Sequence, residues 1–160
     1  MPRAPLSLRG RALGYLARRE HSRAELATKL RRFLQPEDDL EALLDDFEQR
    51  GWLSEARLVQ AVLDAPARRG AARVLHDLRR RGVEPALIEA ARRPLLDGEL
   101  DAARSLWGRR FGRPALDAAD RARQIRFLRY RGFAPATIER VLREAGDAAR
   151  LDPAPDDEPA

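Results

Sequence analysis

Residues 75–85 read "LHDLRRRGVEP" (Leu75–Pro85), and 50 residues later the chain reads "IRFLRYRGFAP" (Ile125–Pro135). Each stretch opens on an aliphatic residue, Leu75 or Ile125, and places an arginine four positions before its proline, Arg81 or Arg131. Gly82 or Gly132 follows, and then an apolar residue, Val83 or Phe133. The chemistry of such a segment is that of a helix that stops and restarts. Glycine supplies the left-handed residue that ends the helix, and the apolar residue folds back over the last turn. Proline then opens the next helix with its φ already set.

An earlier segment, "LATKLRRFLQP" (Leu26–Pro36), keeps Leu26, Arg32, Leu34 and the proline in register. The prolines are spaced by 49 and 50 residues. Phe33 stands where the other two have glycine, which predicts a different turn there. A fixed period of this size signals repeated supersecondary units. A unit of about 50 residues is marginal alone, so units stack and bury one another's faces.

Between these landmarks the apolar pattern is helical. Leu40, Leu43, Leu44 and Phe47 follow the i, i+3, i+4, i+7 template, as do Ala71, Val74, Leu75 and Leu78, and Ile138, Val141, Leu142 and Ala145. No segment alternates with period two. Ser22 with Glu25 forms the S-x-x-E signature of a capping box, so a helix opens at Arg23 directly after another closes. Ser54 is a second N-cap, Gly51 a C-terminal cap, Pro36 a first-turn proline, and Pro94 and Gly146 stop signals.

The expected helices are 11–20, 23–34, 37–50, 55–64, 70–81, 85–92, 97–111, 116–131 and 135–145. Nine helices over three repeats give an all-α chain of three tandem three-helix units, expected to form an elongated, curved array. The units are residues 10–54, 55–95 and 96–146, with a disordered N-terminus (1–9) and an acidic, Pro-rich tail (147–160).

Charge sharpens the functional reading. The last ten residues hold four acids and no base, leaving 31 bases against 22 acids in residues 1–150, a net +9. A second acidic block places seven acids between Glu37 and Glu48; the helical acids Asp38, Asp39, Asp45 and Asp46 read as a solvated face rather than a cation site. The basic remainder suits a polyanion or an acidic protein surface. Arginine supplies all of its bases but Lys29. The candidate contacts are Arg68, Arg69 and Arg73 around one helix start, Arg79 and Arg80 at that helix's end, Arg109, Arg110 and Arg113 around a later turn, and Arg121, Arg126 and Arg129 along the following helix. Such groups engage phosphates or carboxylates bidentately. Trp52, Phe111 and Phe133 beside turns, and Trp107 on an apolar face, read as core rather than as stacking platforms.

Catalytic chemistry finds no foothold. His21 reads as a surface or capping residue, and His76 lies mid-helix beside Asp77 without a partner at metal spacing. Ser7, Ser22, Ser54 and Ser105 lie in no nucleophile elbow, and "WGRRFGRP" is not a phosphate loop. There is no cysteine and no apolar run of membrane length. The expectation is a cytoplasmic, monomeric, non-enzymatic protein with no metal, cofactor or membrane.

The opening "ALGYLARREHSRAELATKL" resembles the most recognisable stretch of the RecX family of regulatory proteins, a helix ending in A-R-R-E-H-S and followed by R-x-E-L. The likeness continues through "LLDDFEQRGWLSEARLVQA", "RRGAARVLHDLRRRGVEPALIEAA" and "RFLRYRGFAPATIERVL", spanning about residues 11–145. It implies three tandem three-helix units, no catalytic residues, and a partner: RecX-like proteins lodge in RecA recombinase filaments on single-stranded DNA and inhibit their growth, ATP hydrolysis and strand exchange. It also implies that single- or double-stranded DNA is a possible direct ligand. The segment Ser54–Leu58 departs from the family's acidic pair followed by an aromatic, and Phe33 from its glycine. The alternative on charge alone is a stand-alone helical nucleic-acid binder.

Overall fold

A computed structural model describes residues 6–66 and 68–151. Those residues form nine helices and no strand: α1 (Leu8–Leu16), α2 (Arg23–Arg31), α3 (Leu40–Gln49), α4 (Glu55–Asp64), α5 (Ala71–Arg80), α6 (Pro85–Asp97), α7 (Glu99–Arg110), α8 (Ala118–Tyr130) and α9 (Pro135–Leu151). The chain divides into two units. Unit 1 takes residues up to Ala65 together with Leu75–Arg93, and unit 2 takes Pro66–Val74 and everything from Pro94.

The local signals act as their chemistry requires. The Ser22 hydroxyl accepts from the Glu25 N–H at 3.0 Å, and the Glu25 carboxylate accepts from the Ser22 N–H at 3.0 Å, closing both halves of the box. Ser54 accepts from the Arg57 N–H and so caps α4. Gly51, Gly82 and Gly132 take φ of 68°, 70° and 85°. Pro85 and Pro135 are the first residues of α6 and α9.

The first repeat departs at its turn, and Phe33 is the reason. Among the described residues no non-glycine takes a positive φ, so α2 stops at Arg31 without the left-handed cap. Pro36 then lies in a turn rather than in a helix: the Asp38 N–H donates to the Gln35 carbonyl and the Asp38 carboxylate accepts from the Gln35 N–H. Asp39 caps the Ala42 N–H, and α3 starts at Leu40, three residues later than expected.

Further boundaries shift, among them the end of α1, which falls at Leu16 rather than at residue 20. Ser7 caps the Gly10 N–H, so α1 begins at Leu8, inside the segment expected to be disordered; residues 1–5 lie outside the described residues. Pro94 does not stop α6, which runs on to Asp97. The proline lies inside the helix without an N–H to donate back along it, and its own carbonyl accepts from the Gly98 N–H. Gly146 does not stop α9 either. An interior glycine costs only about 1 kcal/mol against alanine, and Gly146 is not left-handed. The helix reaches Leu151, and the acidic tail from Asp152 onward lies outside the described residues.

Unit 1 packs Leu8 and Ala12 of α1, Leu26, Ala27 and Leu30 of α2, Leu40, Leu44 and Phe47 of α3, and Leu53 into one buried cluster. Phe47 is wholly buried and meets Trp52 edge-on at 5.3 Å between ring centroids. In unit 2, Ala103 and Leu106 of α7, Leu128 of α8, Phe133, and Ile138, Val141 and Leu142 of α9 form the core. The Trp107 indole N–H donates to the buried Gln124 side chain at 2.7 Å, so that polar group is satisfied.

A recurring polar staple joins successive three-helix segments. Within unit 1, Glu55 at the start of α4 accepts from the Arg23 N–H opening α2 at 2.9 Å and from the Glu84 N–H before α6 at 2.8 Å. Within unit 2, Glu99 at the start of α7 accepts from the Ala71 N–H opening α5 at 3.0 Å and from the Thr137 hydroxyl in α9 at 2.8 Å. Each glutamate thus satisfies an orphan helix-opening donor of the preceding segment. A second bond recurs beside it. The Ser22 hydroxyl donates to the Arg81 carbonyl, and the Gly70 N–H donates to the Arg131 carbonyl at 2.9 Å. Gly70 is obligatory there, because a Cβ would lie 2.1 Å from the Gly132 carbonyl oxygen.

Candidate partner-binding surface

The eleven arginines expected to meet a partner are all exposed, but they are not equivalent. In unit 2, Arg113 pairs with Asp120 at 3.0 Å and Arg121 with Glu139 at 2.7 Å. Arg109 donates to the Ser105 hydroxyl, and Arg110 lies 5.5 Å from the Phe111 ring centroid. Arg69 and Arg73 are also engaged within the fold. These side chains are largely committed to structure.

The remainder form two sets. In unit 1, Arg79 and Arg80 end α5 on its exposed face, and neither meets a carboxylate among the described residues. Arg80 lines a cleft of about 310 Å³ with Ala24, Glu25, Thr28, Lys29, Arg81 and Gly82. In unit 2, Arg126 and Arg129 on α8 are likewise without a carboxylate, as is Arg68 just before α5. Arg129 stands 50 residues after Arg79, each three residues before its left-handed glycine. Tyr130, beside Arg129, is 85% exposed. No sequence signal marks that tyrosine, since the helical period alone does not distinguish a half-buried ring from a bare one.

Arg81 is the instructive contrast. One residue beyond Arg80, it turns inward to Glu25 at 3.0 Å and to the Glu20 carbonyl. Burial would raise the Glu25 pKa, but hydrogen bonds from Arg81, Arg19 and the Ser22 N–H outweigh it and hold the carboxyl at about 2. The acidic block is similarly absorbed. Glu41, Asp45 and Glu48 all reach Arg23, at 2.7, 2.8 and 2.7 Å, so one cation gathers the acids of an α3 face. Asp46 pairs with Arg9 and Arg50.

His21 is not a surface residue. It is 2% exposed, its Nδ1 lies 2.9 Å from the Arg19 carbonyl oxygen, and burial lowers its pKa. His76 is exposed on α5. Among the described residues no group of three His, Asp or Glu is placed to hold a metal ion, and no helix is long and apolar enough to cross a membrane.

An all-helical chain whose three-helix segments are stapled one to the next, with arginines free of carboxylates among the described residues at the ends of α5 and α8, is a helical-repeat protein. Residues 9–47 match the family model for the first three-helix domain of RecX, and residues 97–142 match that for its third three-helix domain. The regulatory protein RecX of Ralstonia nicotianae is 44% identical over 146 residues, covering 91% of this chain and 92% of that protein. That of Leptothrix cholodnii is 49% identical over 144 residues, covering 89% and 92%. The fold is also that of the crystal structure of RecX from Lactobacillus salivarius, with a TM-score of 0.69 at 17% identity over 87% of this chain and 94% of that one. The chain belongs to the RecX family of regulatory proteins.

Proposed function

We propose that the protein binds RecA recombinase filaments on single-stranded DNA and restrains their growth, ATPase and strand exchange. Family membership carries this reading: the relatives bear the name of a regulatory protein across nearly their whole length. It acts in the cytoplasm as a monomer, by occupancy rather than by bond chemistry. Its working units are three-helix repeats at residues 10–54, 55–95 and 96–146. The arginines that face the filament are Arg79 and Arg80 with Arg126 and Arg129, which are free of carboxylates among the described residues. Repeats that offer like cations at a fixed interval suit a polymer of like protomers, since each weak contact raises the effective concentration of the next.

The test is the DNA-dependent ATPase of RecA with this protein titrated in. Wild type is expected to inhibit below one molecule per RecA protomer. The double variant Arg79→Glu, Arg80→Glu is expected to need at least about tenfold more protein, the effect of losing two charge-assisted contacts, with its helical circular dichroism unchanged. Inhibition equal to wild type removes those arginines from the interface.

A further inference from the structure

We propose that a cleft in unit 1, between α1 and the end of α2, is a subsite for single-stranded nucleic acid that holds one unstacked nucleotide. The cleft measures about 320 Å³ and is lined by Leu6, Gly10, Arg11, Gly14, Tyr15 and Arg18 from α1 and its flanks and by Arg32 and Phe33 just after α2. Three arginines line it, and no carboxylate does. That contrasts with Arg9, Arg19, Arg23, Arg50 and Arg57 of the same unit, each of which meets an acid within 3.2 Å.

The rings explain how the cations are held. Arg11 and Arg32 lie over Phe33 at 4.0 and 4.7 Å from its centroid, and Arg32 also donates to the Tyr15 hydroxyl at 3.2 Å. Lys29 lies over Tyr15 at 4.9 Å. A guanidinium stacked on a ring is fixed as a flat plate with N–H donors along its edge. The edge suits a phosphate, and the plate suits a nucleobase. Phe33 thus gains a purpose at the position where the other repeats have glycine. Gly14 leaves the cleft open, since nothing lies within 4 Å of where its Cβ would be.

Size and shape select the ligand. The volume is at the lower end of the roughly 300–1,000 Å³ that suits small ligands, so one nucleotide fits. A concave cleft cannot enter a duplex groove as a protruding helix does. An acidic peptide would satisfy the charge but would leave the stacked plates unused.

The full-length protein, without RecA, is titrated into a fluorescein-labelled oligothymidylate and followed by anisotropy at several salt concentrations. Arg18→Glu and Arg32→Glu are each expected to weaken binding at least about tenfold and to lower the salt slope by about one. Phe33→Leu is expected to weaken it about fivefold or more. Photo-cross-linking with 4-thiothymidine is expected to label Tyr15 or Phe33. Should Arg32→Glu lower the melting temperature, Arg18→Glu decides, since Arg18 has no partner to lose among the described residues. Variants that bind like wild type, or equal affinity for duplex, overturn the subsite. RecA inhibition measured in parallel separates this from the filament reading. Loss of oligothymidylate binding supports the subsite whether or not inhibition persists, whereas loss of inhibition with DNA binding intact overturns it and gives the cleft to a protein partner.

Discussion

Glu25 is where a single residue's chemistry can be measured most cleanly. Its folded pKa of about 2 lies below the ordinary glutamate value near 4.5. A depressed carboxylate contributes stability that is fully present above the unfolded pKa and fades as pH falls toward 2. Glu25→Gln is therefore expected to cost about 2 kcal/mol at pH 7, the scale of a charge-assisted hydrogen bond with its partner left behind. In urea denaturation at pH 7 and pH 2.5, the gap between variant and wild type should shrink at the lower pH. Glu99 makes a complementary case. It is 6% exposed, and the Ala71 N–H it accepts from has no other partner among the described residues. Glu99→Ala should cost about 2–3 kcal/mol, because it strands a buried donor, while Glu99→Gln keeps an acceptor and should cost less. Equal midpoints for the two variants would show that the staple contributes nothing beyond packing. Neither role was legible in the sequence. Glu55 and Glu99 look like ordinary first-turn acids, and only the approach of a preceding segment's helix start gives each a second partner.

At the scale of elements, the turns carry the sharpest contrasts. Gly82 and Gly51 share a positive φ, but a Cβ at Gly82 would meet the Ala24 Cβ at 2.7 Å while one at Gly51 meets nothing within 4 Å. Gly51→Ala is thus expected to cost about 1 kcal/mol from backbone strain alone. Gly82→Ala should cost about 1–3 kcal/mol more as the neighbours are forced apart. Thermal melts of the two variants check the difference, and equal melting temperatures would contradict it. The helices themselves were legible, because apolar period, Ser caps and arginine–glycine ends all agree. The misplaced boundaries share a cause. Pro36, Pro94 and Gly146 each carry a local preference worth only about 1–3 kcal/mol, and the surroundings decide whether it wins. Asp38 and Asp39 build a competing turn at Pro36, and Pro94 is carried inside α6, which continues past it to Asp97. His21 turns on a related point: a histidine beside a cap can point either way, and here it is buried with its ring against the Arg19 carbonyl rather than on the surface.

On the scale of the whole molecule, the repeat pattern and the basic charge were evident from residue identities, but the sorting of the arginines was not. The eleven candidates look alike in the sequence, yet Arg113 and Arg121 are paired with acids while Arg79, Arg80, Arg126 and Arg129 face no carboxylate among the described residues. The pairings of Arg113 with Asp120 and of Arg121 with Glu139 join residues 7 and 18 positions apart, so they emerge only once the helices are packed. If the chain works on the filament as proposed, it recognises a polymer rather than a lone protomer or bare DNA. Fluorescently labelled protein is titrated with RecA filaments assembled on single-stranded DNA with a non-hydrolysable ATP analogue, with unpolymerised RecA, and with the DNA alone. The account predicts saturable binding to the filament at least about tenfold tighter than to either component, as multivalent engagement requires. Binding no tighter to the filament than to naked DNA, or none to the filament at all, would contradict it.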